Sequence, residues 1–397
     1  MKRICFYFQV HQPYRVSEYS VFDIGSGKGY FAGPQRATNR DVFEKVARKC
    51  YLPMNALLLK MLKKERGFKV AFSISGVFVE QCWEFGEIGE QVLESFRKLV
   101  ATKKVELLSE TYYHSLSSLY SPEEFREQVA AHQALMKKEF NSVPRVFRNT
   151  ELIYSDDIVE RVREMGLRGM VLEGWDTVLD WRSSNYVYEP VHEGKKPFGL
   201  LLKNYQLSDD IAFRFGNKAW EGYPLTTDKF TRWIEDSEGD TFNLFMDYET
   251  FGEHQWEDTG IFDFMRALPA ACRRAKIGFH TPSEALKSLE PVGKVSVEKP
   301  LSWADSERDL SAWIENDMQR SSLTRLFALR ESVLGKHDPG LLHEWRRLQT
   351  SDHFYYMSTK YWSDGDVHAY FSPFESPYEA YMNFTNVLSD LEKRLSR

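Results

Sequence analysis

Short apolar runs alternating with helix-like stretches through residues 1–285 constrain this chain more than any other feature. The strand candidates are 3–10, 69–79, 105–110, 145–150, 169–173, 210–215 and 241–247. They are β-branched or aromatic, and several are almost continuously apolar, as strands of a parallel sheet covered on both faces should be. Helical candidates at 41–65, 87–102, 121–140, 155–165, 226–236 and 260–275 fill the gaps. Ser121-Pro122-Glu123-Glu124 shows how they open, with a capping serine, a proline at the first helical position and acids in the first turn. Seven β/α steps predict a parallel barrel or a wound sheet.

Beyond residue 285 the texture changes. Strand-like runs fade, and helical patterns cover 309–334, 339–350 and 377–396. The expected division is a β/α domain over 1–285 and a helical C-terminal region over 286–397. Two connectors are too long to be plain links: 14–40, which carries Gly25, Gly27, Gly29 and Gly33, and the aromatic stretch 175–208. Segments of that length usually shape a site.

Composition narrows the function. Hydrophobic residues at 42% and charged residues at 28% exclude a disordered or collagen-like chain. The formal charge, 52 − 58 = −6, with no basic run, leaves no footprint for nucleic acid. Cys5, Cys50, Cys82 and Cys272 are too scattered for a disulfide scaffold and no two stand at metal-ligand spacing. Lys2-Arg3 before an apolar run imitates a signal peptide, but the run meets His11, Gln12 and Arg15 where a small-residue cleavage site would be needed, so it reads as the first strand. No run approaches the ~20 apolar residues of a membrane span. The expectation is a soluble cytoplasmic protein with no membrane or nucleic-acid partner. The sequence leaves its oligomeric state open.

A β/α barrel builds its active site at the C-terminal ends of its strands. Those ends carry His11-Gln12-Pro13, Glu80, Glu110 with His114 beyond it, Asn149-Thr150-Glu151, Glu173-Gly174-Trp175-Asp176, and Asp247-Tyr248-Glu249-Thr250-Phe251-Gly252. A single acid at a strand tip is commonly only the first residue of a loop. Several converging on one mouth suggest chemistry. On the last strand Asp247 and Glu249 are two apart and so share a face, where like charges shift each other's titration. Paired carboxylates across a cleft are the working parts of glycoside hydrolysis.

Other chemistries fit poorly. There is no His-Glu-x-x-His and no Gly-x-Ser-x-Gly. Gly25-Ser26-Gly27-Lys28-Gly29 lacks the spacing of a phosphate-binding loop, and Tyr30 stands where a dinucleotide fingerprint needs its third glycine. His114 is followed by Ser118 at i+4, so the paired histidines of a metal-dependent deacetylase are missing. His11, His114 and His254 could meet at the mouth and three histidines suit zinc, but each has an easier role hydrogen-bonding a sugar hydroxyl or a neighbouring acid. No metal or organic cofactor is expected.

Taken in order, His11-Gln12-Pro13, residues 75–81 (Ser-Gly-Val-Phe-Val-Glu-Gln), Asn149-Thr150-Glu151, residues 246–254 and residues 309–316 resemble the successive signature regions of glycoside hydrolase family 57. Residues 350–357 and Asp364-Gly365-Asp366-Val367-His368 are similar to its α-amylase-type branch. The resemblance implies a (β/α)7 barrel followed by a helical bundle, acting on an α-glucan or malto-oligosaccharide with retention of configuration. It implies Glu151 as nucleophile and Asp247 as general acid/base. It also places His11, Glu80, Asp309 and Trp313 around the reacting sugar, and Gln12, His114, Trp175, Glu249 and His254 join them as candidate substrate contacts. If helical, Asp309 and Trp313 are i and i+4 and share a face, so that an acid and an indole could meet one sugar; the alternative is that Trp313 anchors its helix and Asp309 caps it. The leading expectation is an α-amylase. Within the same family a 4-α-glucanotransferase or another glucan-modifying transferase shares the first chemical step, and a glucan-binding protein without catalysis is the reading from another class.

Overall fold

The computed structural model describes residues 1–192, 197–360 and 372–396. The Asp364–His368 motif lies outside the described residues. Seven parallel strands surround one axis: β1 (Arg3–Val10), β2 (Val70–Ile74), β3 (Val105–Leu107), β4 (Val146–Arg148), β5 (Gly169–Glu173), β6 (Gly199–Lys203) and β7 (Thr241–Asp247). β1 pairs in register with β2 on one side and β7 on the other, β2 pairs with β3, and β5 lies between β4 and β6. The ring closes through single residues. Ser109 just beyond β3 bonds the backbone of Val146 and Arg148 (2.9 and 2.8 Å), and the Asn204 N–H after β6 donates to Asn243 of β7 (2.8 Å). A short strand, Val187–Pro190, runs antiparallel to β6, and Gly278–Phe279 and Lys294–Val295 add to the rim.

The near-continuous apolar strands make sense in this ring. On β1, Ile4, Phe6, Phe8 and Val10 face the helices outside, while Cys5 and Tyr7 face inward, where they meet Ala71, Leu108, Val146, Val171, Leu201 and Phe245 in a filled interior. Both faces are buried, so alternation has no reason to appear. Outside β4–β6, the apolar residues Phe147, Met170, Leu172, Leu200 and Leu202 share one core with the C-terminal helices, including Trp313, Leu323, Trp345, Phe354 and Leu388. The connector 14–40 is tied to the last helix, Pro377–Leu395, by the Tyr19 N–H bond to Asn383 and the Tyr30 hydroxyl bond to Asp390. Among the described residues no helix is long and apolar enough to cross a membrane.

Three sequence expectations are corrected. The stretch 210–215 is not a strand: Asn204 caps the Leu207 N–H, and Tyr205–Ala212 winds into a helix. The alternation Ile211, Phe213, Phe215 imitated a strand, while the true sixth strand, with its leucine run 200–202, lay hidden inside the supposed loop. The strand 69–79 stops at Ile74, because Ser75 accepts the Phe78 N–H and starts the helix Gly76–Glu84, whose Val77-Phe78-Val79 is a buried helical run. The helical pattern over 309–334 breaks into Ser311–Ile314, Asp317–Ala328 and Arg330–Gly335, the second of them opened by an Asn316–Gln319 capping box.

Candidate active site

The C-terminal ends of the barrel strands open into a cavity of about 660 Å³. His11, Gln12, His114, Glu151, Asp247, Glu249, His254 and Trp313 line it, so eight of the residues picked from the sequence are brought together. Glu80, Trp175 and Asp309 do not line it. Glu80 accepts from Arg347 (2.8 Å) and lies 3.4 Å from His343, tying the helix Pro339–Arg347 to the barrel. Trp175 begins the short helix Asp176–Leu179. Asp309 is exposed and accepts from the backbone of Ser311 (2.8 Å). The helix starts only at Ser311, so Asp309 and Trp313 do not share a helical face as the sequence suggested.

Glu151 owes its position to an unusual turn. β4 ends at Arg148, and both Glu151 and Leu152 sit at positive φ (+57° and +51°). Each such non-glycine residue costs about 1–3 kcal/mol and persists only where the surroundings hold it. Here the Leu152 N–H bonds to Asn149 O (2.9 Å), the Trp303 N–H bonds to Glu151 O (3.2 Å), and the Leu152 side chain is packed into the barrel interior. The turn swings the Glu151 carboxylate into a set of donors. Ser351 Oγ–H donates to Oε1 at 2.9 Å, Trp303 Nε1–H donates to Oε2 at 2.9 Å, and His114 Nε2 lies 3.3 Å from Oε1. Burial works to raise the carboxyl's pKa, but the His114 hydrogen bond and charge, with the Arg148 guanidinium, outweigh it and hold the group below the usual glutamate value.

Asp247 faces the same cavity from β7 in the opposite condition. Burial and the charge of Glu151 push its carboxyl up to about 6, against the pull of Arg148, Lys203 and His114. Glu249 lies beyond the strand end, in the turn Tyr248–Thr250, and does not share a strand face with Asp247, yet both acids reach the cavity. Burial and Asp247 push Glu249 up to about 8, and it accepts from the Tyr51 hydroxyl, with the Gln12 amide at 3.5 Å. Burial lowers His254 to about 4.

Several residues that line the cavity escaped sequence reasoning. The Trp303 ring lies under the guanidinium of Arg148 (5.1 Å) and the ammonium of Lys203 (5.4 Å), which hold the indole that bonds Glu151. Lys203 is 3.5 Å from the buried Glu173 and 3.3 Å from Asp209. Asp352, inside a motif that carried no assigned role, lies 3.1 Å from His11 Nε2. The only signal for Trp303 was an indole in an aperiodic loop, which is no pattern at all.

His11, His114 and Asp352 bring ligand-type atoms within 4.8 Å of one another. The two imidazoles are stacked, with centroids 3.9 Å apart and planes 18° off parallel. Stacked rings do not aim their in-plane lone pairs at one point. Both His114 nitrogens face carboxylates and both His11 nitrogens face Ser75 or Asp352. The cluster is built to hydrogen-bond itself, and the donor set does not fit a cation.

The model of glycosyl hydrolase family 57 matches residues 5–298. A protein of Methanocaldococcus jannaschii named "Putative alpha-amylase" is 42% identical over 98% of this chain and 84% of its own length. Among solved structures, the branching enzyme of Pyrococcus horikoshii superposes with a TM-score of 0.67 at 14% identity, over 93% of this chain and 87% of that one. The 4-alpha-glucanotransferase of Thermococcus litoralis gives 0.65 at 18% identity, over 89% of this chain, which spans 56% of that longer one. The alpha-amylase AmyC of Thermotoga maritima gives 0.62 at 13% identity over the whole chain and 93% of its own. At these identities the structures speak for the shared fold, a barrel joined to a helical region.

Proposed function

Since the chain belongs to glycosyl hydrolase family 57, we propose that it cleaves α-1,4-glucosidic bonds of α-glucans by double displacement, with Glu151 as nucleophile and Asp247 as general acid/base. The observation that carries this reading is one cavity holding two carboxylates in opposite environments, one surrounded by donors and held ionised, the other raised to about 6. Pairs of titratable groups whose surroundings drive their protonation apart are the mark of acid/base division of labour. In the first step a Glu151 oxygen bonds to the anomeric carbon as the glycosidic C–O bond breaks, and the Asp247 proton passes to the departing oxygen. In the second, the Asp247 carboxylate takes a proton from water whose oxygen bonds to the same carbon, and Glu151 departs as carboxylate. Two inversions give net retention, which requires the two carboxyl groups about 5–5.5 Å apart when substrate is bound.

The same first step serves a transferase, and of the structural neighbours one is named a 4-alpha-glucanotransferase and another a branching enzyme. The difference lies in whether water or a sugar hydroxyl resolves the intermediate. Incubation with maltoheptaose and amylose separates the readings. Shorter chains of retained anomeric configuration support hydrolysis, a disproportionated ladder assigns transfer, and unchanged substrate with measurable binding rejects catalysis altogether.

A further inference from the structure

Glu110 is a fully enclosed carboxylate beside the cavity, yet it does not line the cavity. It stands just beyond β3, and its Oε2 lies 3.1 Å from His114 Nδ1, while Oε1 has no hydrogen-bond partner among the described residues. The two residues meet because the chain turns sharply between them. The His114 N–H bonds to Thr111 O (3.1 Å), and His114 itself takes a positive φ of +52°. Strain at a non-glycine residue is stored where the geometry has a use. The result is a line of three side chains, Glu110, His114 and Glu151, with the imidazole between two carboxylates.

A carboxylate only accepts hydrogen bonds, so an imidazole that satisfies one on each nitrogen must carry both N–H groups and a positive charge. Every charged or titratable neighbour bears on this balance. Arg148 approaches Nδ1 at 3.4 Å and works against the charge. His11, stacked on His114, must then stay neutral between Ser75 and Asp352, and Asp352 adds a negative charge nearby. On the far side of Glu110, His132 takes the Glu110 N–H on Nδ1 (3.3 Å) and gives its Nε2–H to Ile74 O (2.9 Å), which makes it a neutral tautomer and no competing cation. Asp247 faces the group across the cavity. Burial alone would strip the charge, but the bonds to Glu110 and Glu151 lift His114 to about 9.

We infer that Glu110 is a positioning residue of the catalytic centre, holding His114 as an imidazolium aimed at Glu151 so that the nucleophile stays ionised and oriented. The inference rests on the reading of Glu151 as nucleophile. Trapping a glycosyl adduct on Glu151 with a fluorinated glycosyl fluoride, read by mass spectrometry, tests that reading alone. The positioning role has its own readout, the nitrogen-15 spectrum of the histidines of the intact wild-type protein, with His114→Gln used to assign the signal. At pH 7 His114 should show two protonated nitrogens, and in Glu110→Gln it should titrate between pH 5 and 8. Glu110→Gln should also lower kcat about 10- to 100-fold at pH 7, with KM changed less than about threefold. A purely structural Glu110 would instead lower the melting temperature and leave kcat of the folded fraction intact. A neutral His114 in the wild-type protein overturns the inference whether or not the variant folds, as does an unchanged kcat and an unchanged His114 signal in a folded Glu110→Gln.

Discussion

The two sides of the barrel mouth treat their acids differently. On the β3–β4 side Glu151 is met by Ser351, Trp303 and His114, with the cation of Arg148 behind them. On the β7 side no hydrogen bond from a described residue contributes to the state of Asp247, and burial together with the charge of Glu151 sets it. The residue types are nearly interchangeable, so their roles come from what the neighbouring strands and loops place around them. Donors also arrive from far along the chain: Ser351 belongs to the helix Ser351–Tyr355, whose start is bonded to the His114 carbonyl (2.9 Å). The barrel supplies the acids and the helical region completes the surroundings of one of them.

The most severe way to break the contrast is to remove the ionised side. Glu151→Gln keeps the shape, though its single amide oxygen can accept from only one of Trp303 and Ser351, and an amide cannot form the glycosyl ester. Activity on maltoheptaose should fall by at least about 10⁴-fold, the scale of losing a nucleophile. Near-normal turnover would end the assignment. The same variant sharpens the comparison from the other side, because removing the Glu151 charge should bring the Asp247 carboxyl down from about 6, measurable by carbon-13 NMR.

Removing the protonated side should cost about 10²–10⁴-fold in kcat, the usual worth of general acid catalysis, when Asp247→Asn is assayed on oligosaccharides with poor leaving groups. The sign of the pH dependence follows. As the proposed general acid, Asp247 must hold its proton for the leaving oxygen, so kcat/KM should fall as pH rises through about 6. As the proposed nucleophile, Glu151 must be ionised, so the rate should fall on the acid side only below the usual glutamate range. Asp247→Asn should flatten the alkaline limb and leave the acid limb in place.

What could be read ahead of the structure follows from periodicity and from residue chemistry. β1 and β7 were plain because strands buried on both faces are apolar throughout, and Glu151 and Asp247 were plain as acids at strand tips. The sixth strand was missed because a leucine run is poor evidence for a strand and the period-two decoy Ile211-Phe213-Phe215 stood nearby. Glu80 read as a strand tip because Ser75, which ends the strand by capping a helix, sits inside a continuous apolar run. Arg148 and Trp303 were invisible. A buried cation on a strand and an indole in an irregular loop acquire meaning only when the fold brings them to Glu151.

Trp313 bridges the two regions and should show it in stability. The ring is 1% exposed, belongs to the core shared by β4–β6 and the helices, and still forms part of the cavity wall. Among the described residues its indole N–H has no hydrogen-bond partner, so replacing it loses packing within that set and no hydrogen bond. Trp313→Ala should destabilise by about 3–5 kcal/mol in denaturant titration. An unchanged melting temperature with a collapsed kcat/KM would show that the ring serves substrate alone and that the two regions are less firmly joined than their common core implies.

The smallest expected effect comes from loosening a single donor. Trp303→Phe keeps an aromatic face between Arg148 and Lys203 but removes the Nε1–H that bonds Glu151 Oε2. A hydrogen bond to a charged group is worth about 1.5–3 kcal/mol. Part of that worth stays with Ser351 and His114, which hold the other oxygen. Two results should appear together. kcat should drop about tenfold, since one of the three fixed contacts that orient the carboxylate is lost, and the acid limb of the pH profile should move upward, because Glu151 loses a donor to its ionised form. Trp303→Ala should add a rise in KM, since it also removes the indole from the cavity wall. If Trp303→Phe lowers kcat with no movement of the acid limb, the indole only orients Glu151, and the ionised state of that side rests on His114 and Arg148. If neither changes, the contrast between the two carboxylates is set by charge alone and the indole N–H contributes nothing to it.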